Sequence, residues 1–208
     1  MSCRFVVTGT DTGVGKTVFA AALAGALGAS YWKPIQCGLQ GGGDVETVRR
    51  LSGLAGERIL REAYQLEMPA SPHIAARAEG VTIDPGLLMP PEVPGPLVIE
   101  GAGGLMVPIT DDLLMIDLFQ RWQMPVIVVA RTALGTINHS LLSLEALKAR
   151  RVPVHGIAFV GEANGAVEET IVRLGSVARL GRLAQIAGLD QPSLAAAFAE
   201  GFSAEDFR

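Results

Sequence analysis

The segment Gly9-Thr10-Asp11-Thr12-Gly13-Val14-Gly15-Lys16-Thr17 constrains the fold more than any other feature of the chain. The run Arg4-Phe5-Val6-Val7 before it reads as a short buried strand, and residues 18–27 after it read as a helix. Strand, glycine-rich turn, Gly-Lys-Thr and helix are the parts of a P-loop. Backbone N–H groups of Thr10, Asp11, Gly13, Val14 and Gly15, with the helix start, can cradle phosphate oxygens. Lys16 then reaches the outer phosphates, and the Thr17 hydroxyl can ligate magnesium. One detail departs from the common spacing, which puts a glycine where Thr10 stands; here Gly9 precedes it.

The rest of the chain fits an α/β expectation. Residues 4–8, 30–34, 96–100, 125–130 and 154–160 read as strands. Pro96-Leu97-Val98-Ile99-Glu100 and the run from Pro125 to Ala130 are continuously apolar rather than alternating, as in a parallel sheet covered on both faces. Helical patterns fill 18–27, 44–51, 113–121, 138–148, 166–174 and 193–200, with Asp44 a candidate N-cap and Leu141, Leu144 and Leu147 a buried stripe. Such alternation predicts one three-layer α/β domain over residues 1–208, with a mostly parallel central sheet. The stretch 36–44 reads as a loop too flexible to be built for packing, and the prolines between 85 and 96 as a stiff connector.

Composition matters mainly for what it excludes. A formal charge of -4 and only short pairs such as Arg49-Arg50 and Arg150-Arg151 give no basic field for nucleic acid. The two cysteines supply neither a metal cluster nor a disulfide framework. Met1-Ser2-Cys3-Arg4 leads straight into the first strand rather than a secretory signal, and no apolar run reaches the roughly 18 residues of a membrane span. A cytoplasmic protein with no nucleic-acid or membrane partner is expected.

In an open parallel sheet, chemistry collects beyond the C-terminal strand ends. Lys33, Asp44 and Glu100 fall near such ends. A carboxylate there, opposite a P-loop, can hold magnesium directly or through water.

The chain resembles the dethiobiotin synthetase family in a set of motifs that occur in family order. They are Val7-Thr8-Gly9-Thr10-Asp11-Thr12 with Gly15-Lys16-Thr17; Lys33-Pro34 followed by Gly38; Ser71-Pro72-His73-Ile74; Val98-Ile99-Glu100-Gly101-Ala102-Gly103-Gly104; and Leu134-Gly135-Thr136-Ile137-Asn138-His139. The resemblance implies an ATP-dependent ligase that joins carbon dioxide, or bicarbonate as its source, to 7,8-diaminononanoate. A carbamate is phosphorylated by ATP, the neighbouring amine closes the cyclic urea, and ADP and phosphate leave. It also implies a homodimer with active sites near the interface.

By the same resemblance, Lys16, Lys33 and Thr12 serve catalysis, and Thr17, Asp44 and Glu100 hold magnesium. Thr12, Lys33, Cys37, Gly135, Thr136, Ile137 and Asn138 face the organic substrate, the last four across the dimer. Cys37 stands where a serine is common and is not read as a nucleophile. Taken alone, Asn138 reads as a helix cap, and His73 reads equally as a residue that fixes its loop or one that touches ligand. Where the family commonly has an Asn-Asp pair for adenine, this chain has Val160-Gly161-Glu162, so relaxed base preference is expected. Three other readings fit less well. An amidating ligase would need a glutamine-hydrolysing domain, and a partitioning-type switch would need an extra lysine near Thr10 and Asp11. A scaffold without turnover would not need Lys16, Thr17, Lys33, Asp44 and Glu100 together.

Overall fold

A computed structural model describes residues 3–39 and 42–207. The first strand, β1 (Arg4–Gly9), runs into the phosphate loop and helix α1 (Lys16–Leu27). Next come β2 (Ser30–Trp32), β3 (Ile35–Cys37), α2 (Gly43–Leu51), β4 (Tyr64–Leu66), α3 (Pro72–Ala78) and β5 (Leu97–Gly104). The chain continues through α4 (Met115–Trp122), β6 (Val126–Arg131), α5 (Thr136–Ala149), β7 (Val154–Val160), α6 (Gly165–Gly175), β8 (Arg179–Leu183) and α7 (Gln191–Gly201).

Among the described residues, six strands form a parallel sheet in the order β2-β5-β1-β6-β7-β8. Side chains alternate between its faces, so the core divides in two. Phe5 and Val7 pack with Phe19, Leu23, Val48, Leu194 and Phe198 from α1, α2 and α7. Val6 and Val128 pack with Phe119, Leu144, Leu147 and Ile171 from α4, α5 and α6. The expected three layers follow directly from apolar runs that must bury both faces.

Three readings need correction. The strand through Glu100 does not end there but continues to Gly104. The stretch 36–44 is not all flexible loop, because Ile35–Cys37 pairs in parallel with Tyr64–Leu66 and Gln36 is buried; Gln40 and Gly41 of that stretch lie outside the described residues. Asp44 is not the N-cap of α2: Gly42 caps it in a left-handed conformation, which leaves the Asp44 carboxylate in the first turn. Strand β8 also escaped the sequence reading, since Arg179-Leu180-Gly181-Arg182-Leu183 mixes charge and glycine into an edge strand.

Gly25 shows why α1 accepts a poor helix former. A Cβ at that position would lie 2.4 Å from the Ser52 carbonyl oxygen, so the glycine permits close approach of α1 to the end of α2. That contact seats the helix carrying Lys16 and Thr17.

Candidate active site

The phosphate loop closes on Gly15, whose φ of 95° suits glycine and starts α1. A Cβ on Gly15 would also lie 2.9 Å from Val160 Cγ1, so β7 abuts the loop at the segment expected to meet the nucleotide base. Lys16 is buried, and burial lowers its pKa first, with the positive charge of Lys33 adding to the effect. Its Nζ donates to the Asp11 carbonyl at 3.1 Å, leaving two of its three donors without a protein partner among the described residues. Those donors are the ones a phosphate would take. Asp11 also accepts from the Thr12 backbone N–H at 2.7 Å.

Beyond the loop, three elements converge. Thr17 begins α1, Asp44 lies in the first turn of α2, and Glu100 lies in β5 opposite Val7, where the register of β1 and β5 shifts. Thr17 Oγ1 lies 3.0 Å from Asp44 Oδ1 and 2.8 Å from Glu100 Oε1. A hydroxyl has one proton and cannot donate to both carboxylates at once. This surplus of hard oxygen acceptors suits a small cation such as magnesium, which takes few protein ligands and completes its shell with water and phosphate oxygens. Among the described residues no group of three or more His, Cys, Asp or Glu side chains gathers, so the donor set is two carboxylates and a hydroxyl.

Lys33 is buried on the far side of these carboxylates. Its Nζ contacts Asp44 Oδ2 at 2.6 Å, Glu100 Oε1 at 3.1 Å and the Gly101 carbonyl at 3.1 Å, which occupies all three donors. Burial alone would depress its pKa. The charges of Glu100 and Asp44 outweigh burial and hold the ammonium above its ordinary range. Burial likewise opposes ionisation of Asp44, and the Lys33 charge overcomes it, keeping the carboxyl below its usual range. Gln36 fixes the approach of Asp44: its Oε1 accepts from Asp44 N at 3.0 Å, while its Nε2 donates to the carbonyls of Cys37 and Gly38.

A cavity of about 660 Å³ opens among these groups; Thr12, Lys16, Thr17, Lys33, Asp44 and Glu100 line it, and so do Cys37, Ser71 and Pro72. His73 does not line it; its Nδ1 meets Ser71 Oγ at 3.1 Å and its backbone N–H donates to the Pro108 carbonyl, which fixes the loop. Gly135, Thr136, Ile137 and Asn138 also lie outside this cavity. Gly135 caps α5, so Asn138 is not the helix cap it resembles in sequence but an exposed side chain of the first turn. Gly161 offers its carbonyl to Arg182 Nη1 at 2.8 Å, and Glu162 is exposed. Sequence reasoning missed Gln36 and Tyr31, whose hydroxyl donates to Glu100 Oε2 at 2.8 Å. Burial and then the Glu100 charge raise the Tyr31 pKa and keep that donor protonated.

Cys37 is a wall of the cavity and a poor nucleophile, because burial raises its thiol from 9.0 to about 11 against the opposing charge of Lys33. At pH 8 a thiol raised this far carries roughly 100-fold less thiolate than one at the ordinary value, and thiolate is the reactive form. Iodoacetamide should therefore label Cys37 far more slowly than free cysteine at pH 8, followed by mass of the Cys37 peptide. Labelling at the rate of free cysteine would contradict this placement.

The parallel sheet, the glycine-rich loop between β1 and α1 and the Glu100 carboxylate of β5 beside it define a P-loop NTPase fold. A chain in the MinC:MinD cell division protein complex of Aquifex aeolicus shares it, with TM-score 0.52 and 15% identity over 93% of this chain and 86% of that one. The family model described as AAA domain matches residues 4–193. Proteins named ATP-dependent dethiobiotin synthetase BioD are much nearer in sequence. That of Nitrobacter hamburgensis is 60% identical over 100% of this chain and 98% of its own length. Those of Agrobacterium fabrum (58%, covering 100% and 98%) and a Bradyrhizobium species (60%, covering 100% and 99%) are comparable. The chain belongs to the ATP-dependent dethiobiotin synthetase family.

Proposed function

We propose that this chain, working as one domain, closes the ring of dethiobiotin from 7,8-diaminononanoate, carbon dioxide and ATP. The observation that carries the reading is the meeting, in one cavity, of a phosphate loop with free Lys16 donors and the Lys33, Asp44 and Glu100 cluster, in a chain of this family. One amine adds to carbon dioxide and loses a proton, giving a carbamate. A carbamate oxygen attacks the γ-phosphorus of ATP and ADP departs. The second amine then attacks the carbamoyl carbon, phosphate leaves, and the cyclic urea forms.

Lys16 neutralises charge on the transferring phosphoryl oxygens, and the loop N–H groups hold the phosphates in line. Lys33 lines the cavity and offsets the carbamate's negative charge from where Asp44, Glu100 and the Gly101 carbonyl hold its ammonium, and the Thr12 hydroxyl steadies the carbamate. Thr17, Asp44 and Glu100 would hold magnesium, which neutralises phosphate charge when bound. Cys37 borders the diamine. Gly135, Thr136, Ile137 and Asn138, at a helix start suited to an anion, receive the substrate carboxylate in the partner of a homodimer. No helix of the described residues is long and apolar enough to cross a membrane, and a cytoplasmic place fits a pathway fed by ATP.

The direct test is product mass. Purified protein given 7,8-diaminononanoate, bicarbonate, magnesium and ATP should yield dethiobiotin; ATP hydrolysis without that product would overturn the reading.

Base selection forms a separate expectation. Val160, Gly161 and Glu162 carry no side-chain amide to read adenine, and the Gly161 carbonyl already accepts from Arg182. A buried reading pair rejects a mismatched base because unpaired polar groups are costly. Without it, CTP, GTP or UTP should support turnover beside ATP in parallel kinetic titrations. A preference for ATP above about 1000-fold, near 4 kcal/mol, would show that other groups rebuild an adenine pocket.

A further inference from the structure

Glu100 is a fully buried carboxylate whose two oxygens have different partners. Oε1 faces Thr17 Oγ1 and Lys33 Nζ at the cavity. Oε2 has one donor among the described residues, the hydroxyl of Tyr31, itself fully buried. The sheet explains the match. Tyr31 pairs with Val98 across the β2–β5 ladder, and Glu100 lies two residues further along the same face of β5, about 6.6 Å on. A tyrosine ring laid along that face carries its hydroxyl to Oε2. Phenylalanine would fill the same space and supply no donor.

We infer that Tyr31 is a positioning residue for the metal site: its hydroxyl fixes the Glu100 carboxylate so that Oε1, rather than Oε2, is presented beside Thr17 and Asp44. This rests on the reading of Thr17, Asp44 and Glu100 as magnesium ligands. Without the hydroxyl, a buried oxygen is left without its partner, and the carboxylate rotates to share the donors that serve Oε1. Groups that orient metal-ligating carboxylates typically change metal affinity by about 10- to 100-fold when removed. A role in packing alone would change stability and leave metal affinity untouched.

The test compares folded wild type, Tyr31→Phe and Glu100→Gln by binding of Mn²⁺ to the protein holding a non-hydrolysable ATP analogue. Affinity for the same analogue is measured separately in chelator. Tyr31→Phe should weaken Mn²⁺ binding about 10-fold or more and leave chelator-measured affinity essentially unchanged, and Glu100→Gln should weaken Mn²⁺ binding as well. If Glu100→Gln weakens Mn²⁺ and Tyr31→Phe does not, the positioning role is overturned and the metal site stands. If neither does, the metal reading fails and takes this inference with it. A second measurement needs no variant of Tyr31. The chain has 2 tyrosines, so ring ¹³C labelling gives separable signals, assigned with Tyr64→Phe. Adding Mg²⁺ to the analogue complex should shift Tyr31 and leave Tyr64 in place; an unmoved Tyr31 would overturn the inference even if Tyr31→Phe failed to fold.

Discussion

Lys16→Ala and Lys33→Ala should each lower ring closure by about 100-fold or more, the order seen when a fixed charge-stabilising donor is removed. Their effects on stability should differ. Among the described residues Lys16 holds only the Asp11 carbonyl, so its loss leaves no carboxylate there unpaired, and the variant should unfold near the wild-type denaturant midpoint. Lys33 neutralises Asp44 and the fully buried Glu100, and deleting one partner of such a pair leaves charge stranded in the interior. That costs up to about 3–5 kcal/mol, less any relief through the part of Asp44 that meets solvent. Lys33 thus holds buried charge for the fold beside its proposed part in the chemistry, which its sequence context did not reveal. Denaturant unfolding without magnesium reads the stability difference, and turnover is then compared only between folded proteins. Near-normal ring closure by either folded variant would remove that lysine from the mechanism.

The fold was legible wherever one physical demand dominated a segment. Val6-Val7, Val98-Ile99 and Val126 to Val129 are apolar at every position because both faces of their strands are covered, and each lies in the central sheet. The short strands β3 and β4 were not legible. Ile35–Cys37 gains its conformation from pairing with Tyr64–Leu66, more than 25 residues later, and no local pattern announces that partner. The site divides in the same way. Gly15, Lys16 and Thr17 are set by a local turn and could be read in order. Asp44 reads in sequence both as a helix cap and, by resemblance, as a magnesium ligand, because a carboxylate near a helix start satisfies either role; only the fold brings it 2.6 Å from Lys33. Tyr31 falls in the strand read at 30–34 and is core; its hydroxyl meets Glu100 solely because β2 lies beside β5.

Phe19→Ala should cost about 3–5 kcal/mol of stability, although the side chain touches no reacting group. Phe19 is fully buried one turn into α1, with its ring centroid 5.4 Å from Phe202 and 6.2 Å from Phe198 of the C-terminal segment. Those two rings stack on each other at 4.7 Å, so they hold their own geometry and cannot swing into a hole left by Phe19. Around it α1 is built of alanines, Ala20, Ala21, Ala22 and Ala24, which are too short to fill the space. The cavity therefore persists, and persistence places large-to-small substitutions at the upper end of their range. A fall in Tm on the order of 10 °C should follow for a chain of this size. The same contact ties the helix that begins with Lys16 to α7. A loss below about 1 kcal/mol would mean that α7 closes onto α1 after truncation, and the C-terminal segment would then have no part in holding the loop.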